Sequence, residues 1–371
     1  MEGGAGAGVD AIPALGETLA GKYRIDGILG RGGMGVVLAA YHLHLEERVA
    51  IKFLLPELAR EGPLVVRFLR EGRAAIKIRS EHVVRILDVE ALPGGTPYMV
   101  MEYLDGTDLA DLLEKDGKLP VAAACDHLLQ ATEALAEAHA LGMVHRDLKP
   151  SNLFLVRRAD DSACIKVLDF GITKYGASTG PDLGMTHTNA VMGSPRYMSP
   201  EQMRSSRTVD PRSDVWALGI ILHELLAGAP PFDGTTMPEL LVKVLEEDPP
   251  PLSQVRPDVP AGLQKVIARC LQKDPAARYP DVGELARALV PFGTASARAS
   301  ADRATRILST NRAAGRAGAP PSEPASAPAV TGNGWARTGK PLRPSGKAFV
   351  VLALGVVACG AALLFFGARS P

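Results

Sequence analysis

His145-Arg146-Asp147-Leu148-Lys149-Pro150-Ser151-Asn152 is the stretch on which the reading of this chain turns. It sets a carboxylate, a cation and a carboxamide within one turn-rich loop, and Pro150 stiffens the segment by fixing its own φ and restricting the residue before it. Such a loop suits a site that positions a hydroxyl beside a metal-bound phosphate.

Working outward, Val121 to Ala140 is rich in Ala and Leu and reads as a helix leading into this loop. Downstream, Ile165 to Leu168 reads as a short strand ending in Asp169-Phe170-Gly171. Near the start, Tyr23 to Leu29 alternates as a strand, and Gly30-Arg31-Gly32-Gly33-Met34-Gly35 interrupts it before Val36 to Tyr41 resumes. Glycines in that turn let the backbone approach phosphates closely. A dinucleotide fingerprint would run from a strand into a helix, whereas here the glycines lie between strands, so a hairpin is expected. Val49-Ala50-Ile51-Lys52 is a further strand, and Leu64 to Ile78 has helical apolar spacing with Glu71 inside it.

In this order the motifs resemble the protein kinase family: a glycine-rich hairpin, V-A-I-K, H-R-D-L-x-x-x-N and D-F-G. The resemblance implies an α+β fold of two lobes. The small N-lobe, residues 21–104, would hold a five-stranded antiparallel sheet and helix C; the mainly helical C-lobe would cover residues 105–292. It also implies ATP and Mg2+ as cofactors, with Mn2+ as a substitute for Mg2+. Lys52 would hold the α- and β-phosphates and pair with Glu71 in the active state, Asp147 would orient the substrate hydroxyl, and Lys149 would neutralise the transferring phosphoryl group. Asn152 and Asp169 would bind the metal. The glycine turn from Gly30 to Gly35, Val37, Ala50, Phe154 and the hinge backbone of Glu102 and Leu104 would form the nucleotide pocket, with Met101 as gatekeeper. Asp108 would contact ribose or, as a plain alternative, cap the helix after it. Lys149 in Lys-Pro-Ser-Asn resembles the serine/threonine branch.

The rest of the domain fits the same resemblance. Ser199-Pro200-Glu201 stands for the more usual A-P-E, with Glu201 expected to pair with Arg278. Asp214-Val215-Trp216-Ala217-Leu218-Gly219 resembles the D-x-W-x-x-G helix, in which Asp214 braces the catalytic loop. Arg146 implies a phosphate-binding arginine, and Thr186 and Thr188 have the spacing of the autophosphorylated pair in eukaryotic-like (Hanks-type) kinases of bacteria. Autophosphorylation in trans by a dimer is one route to that state. A silent pseudokinase scaffold at the membrane is the rival reading, yet it would be expected to lack Lys52, Asp147, Asn152 or Asp169, and all four are present. A small-molecule phosphotransferase would not need Ser199 to Glu201, Asp214 to Gly219 and Arg278.

Composition excludes other classes. With 41 Lys and Arg against 41 Asp and Glu, the chain lacks the basic excess expected of a nucleic-acid binder. Its four cysteines, Cys125, Cys164, Cys270 and Cys359, are scattered without a C-x-x-C pair, so neither a disulfide framework nor a zinc site is suggested. Residues 1–20 read as a flexible leader. Residues 293–347, rich in Ala, Gly, Pro, Ser and Arg, read as a disordered basic linker of about 40 Å reach. Ala348 to Gly367 carries no charge and, as a helix of about 30 Å, would cross a bilayer once, leaving a short tail at 368–371. Arg337, Lys340, Arg343 and Lys347 before it, against Arg369 after it, keep the kinase domain in the cytoplasm, anchored at the cell membrane.

Overall fold

Alternating burial from Tyr23 onward builds the first sheet of this computed structural model, which describes residues 12–170, 195–205 and 209–317. Strands β1 (Thr18–Leu19), β2 (Tyr23–Arg31), β3 (Gly35–His42) and β4 (Glu47–Leu54) are followed by helices α1 (Pro56–Ala59) and α2 (Gly62–Ala75), then β5 (Ile86–Ala91) and β6 (Pro97–Glu102). The sheet is antiparallel in the order β1-β2-β3-β4-β6-β5. It has six strands, not five, because Thr18 and Leu19 pair with Arg24 and Tyr23. Leu19 is thereby buried in the sheet's own core, so the leader gives way to structure before residue 20. Period-two alternation sends Val49, Ile51 and Phe53 of β4 to that core and Ala50 and Leu54 to the other face, against Leu64 and Phe68 of α2. Gly72 lets α2 lie this close, since a Cβ there would meet the Met99 methyl at 2.7 Å.

The C-lobe opens with β7 (Gly106–Asp108), α3 (Leu109–Asp116) and α4 (Val121–Ala140), and continues through β8 (Leu153–Arg157) and β9 (Ala163–Val167). The last three strands of this list form one small sheet, β7-β8-β9. Helices α5 (Pro200–Arg204), α6 (Arg212–Ala227), α7 (Met237–Glu246), α8 (Ala261–Cys270), α9 (Val282–Leu289) and α10 (Ala297–Ala317) complete the described chain. Residues Ser213 to His223 of α6 are buried without a break, as expected of a helix at the centre of a lobe.

One expectation about the C-terminal side changes. Residues 297–317 are helical, not a flexible coil, and Ala297, Ala301 and Ala304 are buried against the C-lobe core. The folded part therefore continues past residue 292. Thr186, Thr188 and the segment 348–367 lie outside the described residues; among those described, no helix is long and apolar enough to cross a membrane.

The start of α5 is locked to α8 and α9 through one ion pair. Arg278, with no exposed side-chain surface, forks onto Glu201 with both bonds at 2.8 Å, and Ser213 donates to the same carboxylate at 2.6 Å. Its remaining donors reach the carbonyls of Arg212, Gln272 and Lys273. Removing one member of such a pair strands a desolvated charge. Arg278→Met is expected to cost about 3–5 kcal/mol, read as a lower urea midpoint with unchanged slope.

Candidate active site

The catalytic loop takes its shape from a carboxylate delivered by another helix. Asp214, in the first turn of α6, accepts the backbone N–H groups of His145 and Arg146, both at 2.9 Å, and lies 2.7 Å from Nε2 of His139 at the end of α4. Its burial works to raise its pKa, but His139 and the neighbouring His145 outweigh that and hold it below the usual carboxylate range. Arg146 has φ of 65°, a left-handed conformation costly for a residue with a side chain. Asp214 pins its N–H, and Nε2 of Gln202 pins its carbonyl at 2.9 Å. Gln202 is itself fixed by a capping box with Ser199 at the start of α5.

Around this loop the expected site residues gather. The Asn152 carboxamide donates to the Asp147 carbonyl at 2.7 Å, which leaves its oxygen as an acceptor. The Lys149 ammonium lies 3.7 Å from the Asp147 carboxylate. The Leu168 N–H donates to the Asn152 carbonyl at 2.9 Å, and the Leu168 carbonyl meets Nε2 of His145 at 2.8 Å. These bonds set the backbone just before Asp169, which also has a left-handed φ, 52°. Phe170 then packs its ring on His145, 4.8 Å between centroids.

Most residues expected to meet a nucleotide lie on the first sheet. Gly30 and Arg31 pair with Val37 and Val36, while Gly32, Gly33 and Met34 form the turn, closed by the Gly32 N–H on the Gly35 carbonyl at 2.9 Å. Gly35 has no alternative, because a Cβ there would stand 2.3 Å from the Phe53 carbonyl oxygen. Val37 faces Lys52 and Ala50 faces Met101 in the strand register. The Glu102 side chain, at the end of β6, accepts the Arg85 N–H and pairs with Lys166, both at 2.8 Å; Leu104 follows two residues on. Asp108 caps α3, accepting the N–H groups of Ala110 and Asp111, which is the plainer of the two roles considered for it. Phe154 sits opposite Asp108 in the β7–β8 register.

One expected contact is replaced by another. The Lys52 ammonium is bonded to Asp169 at 2.6 Å and not to Glu71. Partial burial of Asp169 works to raise its pKa, but the Lys52 charge outweighs it, so this carboxyl stays below its ordinary value. Glu71 has the opposite fate. Burial raises it from 4.5 to about 7 despite Arg67, Arg70 and Arg146 nearby, and its Oε2 is buried without a hydrogen-bond partner. The opposite directions follow from the pairing: the carboxylate that holds the ammonium is stabilised as an anion, and the one left without it is governed by its burial. His139 and Gln202 carry the loop with no signal of their own in the motif pattern, although Ser199-x-x-Gln202 matches a capping box.

Among the described residues no group of three or more His, Cys, Asp or Glu could hold a metal by itself. The pair of oxygen donors on Asp169 and Asn152 instead suits a hard cation that takes its other ligands from phosphates and water.

The raised Glu71 pKa fixes a sign. A carboxyl with a folded pKa near 7 and an ordinary value near 4.5 stabilises this arrangement fully below pH 4.5, and the contribution is lost as pH rises through 7. Urea unfolding between pH 5.5 and 8.5 is expected to show a fall in stability that Glu71→Gln removes.

The protein kinase domain family matches residues 23–286. Serine/threonine-protein kinase Pkn1 of Myxococcus xanthus is 42% identical over 281 residues, 76% of this chain and 40% of that protein. Serine/threonine-protein kinase PknB of Mycobacterium tuberculosis is 37% identical over 275 residues, 73% of this chain and 43% of that protein. The chain thus spans less than half the length of these two relatives. The crystal structure of the Mycobacterium tuberculosis PknI kinase domain superposes with a TM-score of 0.57 at 28% identity, covering 80% of this chain and 100% of that one. With its two lobes, its glycine hairpin and its catalytic loop, this chain belongs to the protein kinase family.

Proposed function

We propose that the protein is a serine/threonine protein kinase that transfers the γ-phosphate of ATP to hydroxyls of protein substrates, itself included. The observation that carries this reading is the set of contacts in which Lys52 meets Asp169, Asn152 bonds to the Asp147 carbonyl and Lys149 stands beside the Asp147 carboxylate. The relatives named as serine/threonine kinases and Lys149 in its loop support the acceptor class.

In this reading Mg2+ would be held by Asp169 and Asn152, and would neutralise phosphate charge when bound. Asp147 orients the acceptor hydroxyl and takes its proton, Lys149 screens the transferring group, and Lys52 holds the phosphates once it leaves Asp169. The Lys52–Asp169 pair makes the present arrangement a resting one. The glycine turn exposes backbone N–H groups to the phosphates, with the hinge backbone at Glu102 and Leu104 meeting adenine and Asp108 reaching ribose. Arg146, with Arg67 and Arg70 of α2 within electrostatic reach of Glu71, forms a cationic neighbourhood for a phosphate on Thr186 or Thr188. Ordering of that segment by phosphate is the proposed switch.

Full-length chain incubated with labelled ATP and Mg2+ is expected to incorporate phosphate, with Thr186 and Thr188 among the mapped sites. Asp147→Asn is expected to lose about 10²–10⁴-fold in rate, and Asp169→Asn to be silent. Equal incorporation by wild type and Asp169→Asn would overturn the reading.

The same reading anchors the protein at the cell membrane through residues 348–367, kinase domain inward; the uncharged run and the basic residues before it support this. The full chain is expected in the membrane fraction after alkaline extraction, and a chain ending at residue 347 in the supernatant. Release of both would remove the anchor.

A further inference from the structure

Helix α10 begins beyond residue 286, where the family match ends, yet polar bonds from three residues fix its segment to α4. The Thr294 N–H donates to Oδ1 of Asp126 at 3.0 Å, Nη2 of Arg303 to Oε1 of Glu133 at 2.8 Å, and Nδ2 of Asn311 to the Ala140 carbonyl at 2.7 Å. Asp126, Glu133 and Ala140 follow one another at heptad spacing, one stripe along α4. Their partners ascend in the same order, so the two helices run parallel. Between these bonds α10 buries Ala297, Ala301 and Ala304. Gly283 of α9 makes room for it: a Cβ there would stand 3.3 Å from the Thr305 Cα.

The middle bond reaches toward the site. The Glu133 side chain is 6% exposed, and Arg303 is the cation hydrogen-bonded to it. On its other side Oε1 of Glu133 lies 3.7 Å from Nε2 of His82, a ring with 1% exposure. Nδ1 of His82 meets the Ile165 carbonyl at 2.9 Å, and the His82 carbonyl accepts the Val167 N–H at 2.8 Å. The Val84 N–H returns to the Val167 carbonyl at 3.1 Å. The segment that follows α2 is thereby sewn to β9, and β9 runs directly into Leu168 and Asp169.

We infer that Arg303 is a positioning residue for the kinase reaction, acting through Glu133 and His82 on the strand that presents Asp169. The inference rests on the kinase reading. Without Arg303, Glu133 is a buried carboxylate deprived of its hydrogen-bonded cation, and it lowers its energy by turning toward solvent. Turning away removes the nearer of the two carboxylates at Nε2 of His82, leaving Oε1 of Glu81 at 3.9 Å, and the bonds from His82 and Val84 to Val167 loosen. A displacement at Asp169 then appears in metal use and turnover, since small misplacements of reacting groups cost rate steeply.

The test uses the full-length chain as wild type, Arg303→Met and Arg303→Met/Glu133→Gln, each well below its unfolding midpoint. Arg303→Met is expected to lower kcat about tenfold and raise the half-saturating Mg2+ concentration several-fold. Glu133→Gln, which removes the stranded charge, is expected to restore both to about twofold of wild type. Hydrogen exchange at the Val167 and Leu168 amides should quicken in the single variant and recover in the double. A single variant that melts lower but keeps wild-type kcat and Mg2+ dependence would make α10 a structural appendage and overturn the inference. So would a loss that the double variant does not recover. An inactive wild type would count against the kinase reading alone; the exchange measurement then decides the coupling, and unchanged amides overturn it.

Discussion

The Asp214 carboxylate holds the catalytic loop in a shape its backbone would not otherwise keep. A left-handed Arg146 costs about 1–3 kcal/mol. Two backbone N–H bonds to a buried anion, each contributing about 1.5–3 kcal/mol, offset that cost. The anion is affordable there because His139 meets it from α4 and because α6 is packed on every side. Everything downstream inherits this geometry: Asn152 bonds back to Asp147, Leu168 bonds to Asn152, and His145 closes onto Leu168. Two positive-φ residues, Arg146 and Asp169, thus stand at the two ends of one hydrogen-bonded circuit.

The state of the cleft follows from a competition among three side chains. Asp169 holds the Lys52 ammonium; Glu71, on α2 and without that partner, is raised by burial to about 7. In the kinase reading Asp169 would hold a divalent cation that neutralises phosphate charge, and Lys52, freed from that carboxylate, would be available to phosphates and to Glu71. Ligand and helix position are linked because each has different affinity for the two arrangements.

Much of this was legible in the residues. Val121 to Ala140 is a helix over the full span read from the sequence. The glycine turn, the loop at His145 and the Glu201–Arg278 pair have sequence patterns because each depends on particular side chains at fixed spacing. What stayed hidden depends on tertiary surroundings. The exchange of Glu71 for Asp169 at Lys52 depends on which carboxylate the tertiary fold brings to the ammonium, which no local pattern encodes. Helix α10 was concealed by its composition: its buried face is alanine, which favours helix strongly yet contributes little apolar contrast, so the segment has the look of a linker. Strand β1, two residues long, is below what alternation can register.

The parallel course of α10 beside α4 has a mechanical side. Tension applied at the end of α10 along its axis loads the bonds at Asn311, Arg303 and Thr294 together, in shear, along with the alanine face between them. Tension applied across the axis instead meets them one at a time, beginning at Asn311. The joint is therefore strong in one direction and weak in the other, and the direction from which the following chain pulls sets how much force reaches Glu133.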